Sequence, residues 1–183
     1  MYTDALIDEP APTPGGTGVM KFIHITDPHM TAPGESLFSI DPHERLDACL
    51  KDIERLHPDA AFCAITGDLT EEGDLAAYRA LAERLARFPL PVRLILGNCD
   101  DRANFRAVFG GADTSGFVQW AEERDEGLFL FLDTLADDAS AEGRYDGVRQ
   151  AWLASQLAGA DGDVFIFMHH PPFDIGHVND AIK

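Results

Sequence analysis

A chain of 183 residues that is 45% hydrophobic has the length and the apolar content for one domain with a sizeable core. Its 32 acidic against 14 basic side chains leave a formal net charge of −18, which excludes an extended nucleic-acid track built on clustered Lys and Arg but not a small anionic substrate, because a bound cation can dominate the local field. No stretch approaches the roughly 20 apolar residues of a membrane span, and Cys49, Cys63 and Cys99 form neither a disulfide framework nor a zinc-finger spacing, so reduced thiols point to the cytoplasm.

Residues 1–19 hold acids but no Lys or Arg, with Pro and Gly in the second half. They read as a flexible leader, or as a start codon placed too far upstream of Met20, and not as a secretory signal. The first apolar run, Met20 to Thr26, delivers Asp27 and His29 where strand gives way to loop. Residues two apart on an extended chain point the same way, so a carboxylate and an imidazole can aim at one point, a pairing suited to a divalent cation. Thr31 to Ile40 is a Gly/Pro/Ser-containing connection. Asp41 then caps a helix with Pro42 at its first position, and Leu46, Cys49, Leu50, Ile53 and Leu56 form its apolar face. His57, before Pro58, reads as a dipole-facing cap.

The second run, Ala61 to Thr66, ends at Gly67-Asp68. Glu71, Glu72 and Asp74 read as first-turn acids of a helix carrying Leu75, Tyr78, Leu81, Leu85 and Phe88 and stopped by Pro89. The third run, Val92 to Leu96, ends at Gly97-Asn98-Cys99-Asp100, and Asp101 to Phe109 is a short helix closed by Gly110-Gly111. Phe117 to Glu123 and Leu128 to Asp133 form a hairpin, with Asp133 as a loop or capping acid. A polar surface loop follows. Gly147 to Leu157 is a helix with Val148, Trp152 and Leu157 facing inward, and Val164 to Met168 is a last strand leading into His169-His170-Pro171-Pro172. Four strand ends, each followed by a metal-competent side chain, make a convergent site at the carboxyl edge of a sheet.

Together, Asp27-x-His29, Gly67-Asp68, Gly97-Asn98-x-Asp100 and Met168-His169-His170-Pro171 resemble the motifs of the calcineurin-like metallophosphoesterases, over nearly everything from Met20 onward. The His-His-Pro-Pro version is similar to that of the class III cyclic-nucleotide phosphodiesterase and glycerophosphodiesterase group. The resemblance implies an α/β (α+β mixed) fold, two mixed β-sheets sandwiched between helices, as a domain over residues 20–183 whose C-terminal part is missing. It also implies that Asp27 and His29 hold a first metal, that Asp68 bridges, and that Asn98 and His169 hold a second. The two ions are divalent or trivalent, and mixed N/O ligation suits Mn, Fe or Zn.

Two departures stand out. Cys99 occupies the place where most relatives carry a histidine that assists phosphate binding or leaving-group protonation. A thiol is a poorer partner for phosphate oxygens and normally neutral, so a catalytic role for Cys99 and a role as a small filler both stay open. The family's downstream Gly-His-x-His motif is not reached before Lys183, which would cost each metal one protein ligand. His170 and His177 are expected at the substrate mouth. The function implied is hydrolysis of a small soluble phosphodiester, a cyclic nucleotide or glycerophosphodiester, by hydroxide generated at the metals. A phosphomonoesterase and a truncated non-catalytic metal-binding module are the alternatives. The partner is then a small-molecule phosphate ester, without nucleic-acid polymer or membrane; self-association is compatible with this.

Overall fold

The computed structural model describes residues 19–173 except 112, 114 and 139. Residues 1–18, expected to be a leader, and His177 lie outside the described residues. The elements run β1 (Ile23–Ile25), α1 (Pro42–Leu56), β2 (Cys63–Thr66), α2 (Leu75–Leu85), β3 (Val92–Ile95), α3 (Arg102–Phe109), β4 (Trp120–Arg124), β5 (Gly127–Phe131), α4 (Gly147–Gly159) and β6 (Val164–Phe167). Strands β1-β2-β3 form one sheet, paired in parallel with Ile23 opposite Cys63 and Cys63 opposite Val92. Strands β4-β5-β6 form a second, mixed sheet: β4 and β5 are an antiparallel hairpin, and β6 adds parallel to β5. Two sheets with helices outside them match the architecture expected from the sequence, with the refinement that the first sheet is parallel throughout.

Side-chain alternation builds the layers. On β2, Cys63 and Ile65 face helices α1, α2 and α3 through Leu46, Leu50, Tyr78, Leu81 and Phe105. Ala64 and the preceding Phe62 face the other way, toward Phe129, Phe131 and Phe167 of the second sheet. β5 is divided in the same manner: its phenylalanines enter the aromatic layer, while Leu128, Leu130 and Leu132 face Trp152 and Leu153 of α4. A strand buried on both faces reads as a continuous apolar run, which is what both β2 and β5 show. The rings pack as aromatic pairs, Phe131 on Phe167 at 4.8 Å and Phe62 edge-on to Phe129 at 5.8 Å. Each fully buried Phe contributes roughly 1.5–3 kcal/mol.

The rim of that aromatic layer is ionic. Arg93 on β3 is bidentate to Glu122 on β4, at 2.7 and 3.2 Å, so one buried pair ties the two sheets together. Arg124 also pairs with Glu122 and lies 4.9 Å over the Phe62 ring.

Three expectations are corrected. The hairpin strands are shorter than the apolar pattern suggests, because Phe117 to Gln119 form the approach to β4 and not part of it. Val148 and Leu157 of α4 are exposed, whereas Arg149 of the same helix is fully buried. Asp133, expected as a loop or capping acid, is fully buried. It accepts from Arg102 Nε at 2.7 Å and Nη2 at 3.0 Å and from the Val118 amide at 2.9 Å, while Arg149 Nη1 lies 3.9 Å away. Arg149 itself donates to the carbonyls of Asp133 and Leu135 at 3.1 and 2.9 Å, and its guanidinium lies 4.4 Å over Phe117. Among the described residues, no helix is long and apolar enough to cross a membrane.

Candidate metal centre

The loops that follow β1, β2 and β3 meet at the carboxyl edge of the parallel sheet. Their backbones continue the ladder beyond the strands: Asp27 N–H donates to Gly67 O at 3.1 Å, His29 to Asp68 O at 3.0 Å and Met30 to Leu69 O at 3.0 Å. Asp27, His29 and Asp68 all take positive φ, at 56°, 44° and 46°. The sequence reading brought Asp27 and His29 together by extended-strand alternation. The structure brings them together by left-handed turns, because β1 ends at Ile25. Left-handed backbone at non-glycine residues is uncommon and collects at functional sites.

Asp100 fixes the third loop to the second. Its buried carboxylate accepts from the amides of Leu69, Thr70 and Gly97 at 3.0, 3.1 and 2.9 Å, and from the Tyr78 hydroxyl at 2.8 Å. Burial lifts its pKa to about 6 against the pull of those donors. Close approach also demands two glycines. A Cβ at Gly97 would stand 2.3 Å from Asp68 Oδ1, and one at Gly67 would stand 2.4 Å from His169 Nδ1.

Within this frame five side chains converge. Oδ2 of Asp68 lies 3.6 Å from His29 Nε2, and its Oδ1 lies 3.5 Å from His169 Nε2. Asp27 Oδ1 is 3.7 Å from His29 Nε2, and Asn98 Oδ1 is 3.3 Å from His169 Nε2. Ligand atoms of Asp27, Asp68 and His169 lie within 4.8 Å of one another, and so do those of His29, Asp68 and Cys99. The pairing with His29 chiefly holds Asp27 below the usual carboxylate range, and the same pairing raises His29. At 3.7 Å this is an ionic contact and longer than a hydrogen bond.

Each histidine has an acceptor behind it. The Thr66 carbonyl can only accept, so at 2.8 Å it places the His169 proton on Nδ1 and turns the Nε2 lone pair toward Asp68. Glu71 Oε2 lies 2.7 Å from His29 Nδ1, off the ideal donor axis, so it pairs with that ring by charge without a hydrogen bond. Metal-binding histidines characteristically carry such an outer acceptor, which sets tautomer and ring angle. The donor set of two carboxylates, two imidazoles and an amide oxygen therefore fits a divalent cation, with Asp68 shared by both groups of ligand atoms.

Cys99 lies within this cluster. Its amide donates to Asp68 Oδ1 at 2.9 Å, and its Sγ accepts from Asn98 Nδ2 at 3.4 Å, which leaves the Asn98 oxygen facing His169. Burial, with help from Asp68, pushes the thiol up to about 12, so it is neutral here. His170, expected at the substrate mouth, stands apart from the five converging side chains and lines another cleft with Thr134, Arg144 and Tyr145. Its ring is buried, bonds Thr134 Oγ1 through Nδ1 at 2.7 Å, and is held at a pKa of about 4 by burial.

Sequence reasoning missed two residues. Glu71 precedes the N-cap Asp74, so it belongs to the loop and not to the first turn of α2. The signal that could have found it is Asp74, whose side chain caps α2 and so leaves Glu71 and Glu72 outside the helix. Asp100 lay inside a quoted motif without a role.

Comparison with known proteins agrees with this geometry. Residues 20–181 match the calcineurin-like phosphoesterase family. The chain is 43% identical over 162 residues to a probable cyclic nucleotide phosphodiesterase of Rhodopseudomonas palustris, covering 86% of this chain and 59% of that protein. It is 29% identical over 167 residues to a probable glycerophosphodiester phosphodiesterase of Arcobacter nitrofigilis, with the same coverages of 86% and 59%. It is 31% identical to a cAMP/cGMP dual specificity phosphodiesterase of Mycobacterium tuberculosis, covering 82% of this chain and 49% of that one. The chain thus spans about half to three-fifths of these relatives' length. In fold it is similar to a purple acid phosphatase from yellow lupin seeds, with a TM-score of 0.59 and 15% identity over 86% of this chain and 31% of that chain. On sheet order, loop convergence and family match, this chain belongs to the calcineurin-like phosphoesterases.

Proposed function

We propose that this chain carries most of the metal-binding apparatus of a two-metal phosphodiester hydrolase acting on a small soluble diester, a cyclic nucleotide or a glycerophosphodiester. The observation that carries the reading is Asp68: its two oxygens face different histidines, of which His169 is held from behind by the Thr66 carbonyl and His29 has Glu71 beside its outer nitrogen. Asp27 and His29 would hold one ion, Asn98 and His169 the other, with Asp68 between. Mn, Fe or Zn suits the donors. Two such ions, when bound, supply a hydroxide nucleophile at neutral pH and neutralise charge on the phosphoryl oxygens.

The chain's own residues account for the rest. Gly67 and Gly97 let the strand-end loops close around Asp68, and Asp100 keeps them closed. Cys99 orients the Asn98 amide. The thiol, neutral in this setting, gives no support for a charged phosphate contact or for a proton donor matched to neutral pH. The thiol at this place, where most members of the resembled family carry a histidine, favours a second reading, a metal-binding module without turnover. A reducing compartment, and so the cytoplasm, is supported by three free cysteines.

The test compares bis(p-nitrophenyl) phosphate with p-nitrophenyl phosphate, using the natural full-length protein with added Mn²⁺. Faster turnover of the diester is expected. A preference for the monoester overturns the diesterase reading, and tight Mn²⁺ binding without hydrolysis of either ester favours the module.

A further inference from the structure

Beside the candidate metal centre lies a cleft of about 330 Å³ that the metal ligands do not explain. It shares Asp27 and His29 with that centre, and its other lining includes Ile25, Leu46, Cys49 and the hairpin residues Leu37, Phe38 and Ile40. Arg45 is its cationic lining residue. The cleft is therefore charged at the end that touches the metal ligands and apolar over most of the rest. It falls in the size range of small-molecule sites, which are mostly apolar with a few convergent polar groups.

The hairpin is unusual in its tip. Leu37 and Ile40 exchange backbone hydrogen bonds of 2.9 and 2.8 Å, so Phe38 and Ser39 are the two central residues of the turn. Both have positive φ, at 49° and 65°. Turns of this kind favour Asn-Gly, and a bulky residue in left-handed backbone is a true outlier. The side chain held there is a phenylalanine that is 89% exposed and lines the cleft. Nothing in packing the core requires it, since a glycine or asparagine at the tip would suit the left-handed backbone and the exposed ring would lose little buried surface.

We propose that this cleft is the subsite for the planar aromatic base of a nucleoside phosphodiester, with Phe38 stacking on the base. The inference rests on the phosphodiester reading and deepens it, because the cleft touches Asp27 and His29 directly. A glycerol moiety would gain little from such a lining. A base offers apolar faces to Phe38 and the aliphatic residues, and a polar edge to Arg45. Stacking of a base on an aromatic side chain is worth about tenfold or more in affinity.

The experiment uses the natural full-length protein and two independent readouts. In the first, adenosine, which carries no phosphate, is titrated into metal-free protein by calorimetry or ligand-observed NMR. Binding is expected; Phe38→Ala should weaken it about tenfold and Phe38→Trp should restore it. In the second, with Mn²⁺ bound, Phe38→Ala should raise KM for 3′,5′-cyclic AMP about tenfold and leave kcat and KM for glycerophosphoethanolamine within twofold. Absence of adenosine binding overturns the subsite, as does an equal effect on both diesters, or an effect of Phe38→Ala confined to self-association. Adenosine binding that depends on Phe38, in a protein that hydrolyses neither diester, sinks the hydrolase reading and leaves the subsite standing.

Discussion

Asp68 and Asp133 are both buried carboxylates just past strand ends, one at each sheet, and their surroundings have opposite character. Asp133 sits between two guanidiniums, with Arg102 at 2.7 Å and Arg149 at 3.9 Å, and two backbone amides complete its shell. Its charge is settled by the protein. Among the described residues, the ion-pair partners of Asp68 are two histidines, at 3.6 and 3.5 Å; His169 gives its other nitrogen to the Thr66 carbonyl, and the other nitrogen of His29 lies 2.7 Å from Glu71. A buried anion with so little positive charge around it is costly unless a cation joins it. One carboxylate holds the fold together, and the other is arranged for something the chain does not itself supply.

That contrast can be broken by exchanging charge for amide. Asp68→Asn, the largest expected effect, should lower metal affinity and diester turnover by more than about 100-fold, since even outer-shell partners cost 10–100-fold. Thermal stability of the metal-free protein should hold or rise, because an undercompensated buried charge is gone. Retained turnover would show that Asp68 is not shared between ions. Asp133→Asn should do the reverse and lose about 3–5 kcal/mol of stability in urea melts, as expected when one partner of a buried pair is removed. Its turnover per folded molecule should remain. Unchanged stability would mean that the two arginines find other partners at no cost.

Glu71→Gln sharpens the comparison at its second tier. Metal affinity should fall about 10–100-fold with little change in melting temperature, because only the acceptor behind His29 is weakened. An unaltered affinity would return Glu71 to the status of a surface acid. The smallest effect belongs to the sheet-bridging pair. Burial pushes Glu122 upward, yet Arg93 and Arg124 together hold it below its ordinary 4.5. A lowered folded pKa means that its stabilisation is complete above the ordinary value and drains away as pH falls below it. Acid titration of stability should therefore show a shallow loss in that range, absent in Glu122→Gln. A titration identical in the variant would remove Glu122 from the account.

Much of this was legible in the sequence wherever a local pattern carries the information. The cap at Asp41, the apolar faces of α1 and α2, and the five residues facing the centre are written in short motifs and strand-end placement, whereas Asp74, read as a first-turn acid, is the N-cap of α2. What escaped is carried by pairs far apart in the chain. Asp133 meets Arg102 across 31 positions, and Arg93 meets Glu122 across 29, with no periodicity to announce either. Arg149 carries a charge, and charged side chains are normally exposed. It is buried because two carbonyls and the Phe117 ring receive it. His170 shows the opposite limit: adjacent to His169 in a motif, it is turned by its backbone into Thr134.

The hydrogen bond from His169 to Thr66 joins residues 103 positions apart, and the contact of His169 with Asn98 spans 71. Such long loops are slow to close, and this one shuts only when β6 has paired with β5. Tight ion capture should consequently be among the last events of folding, arriving after the helices have formed and the parallel sheet has assembled. In a stopped-flow refolding experiment a fluorescent metal indicator would then report completion of the chain's assembly, lagging the helical signal.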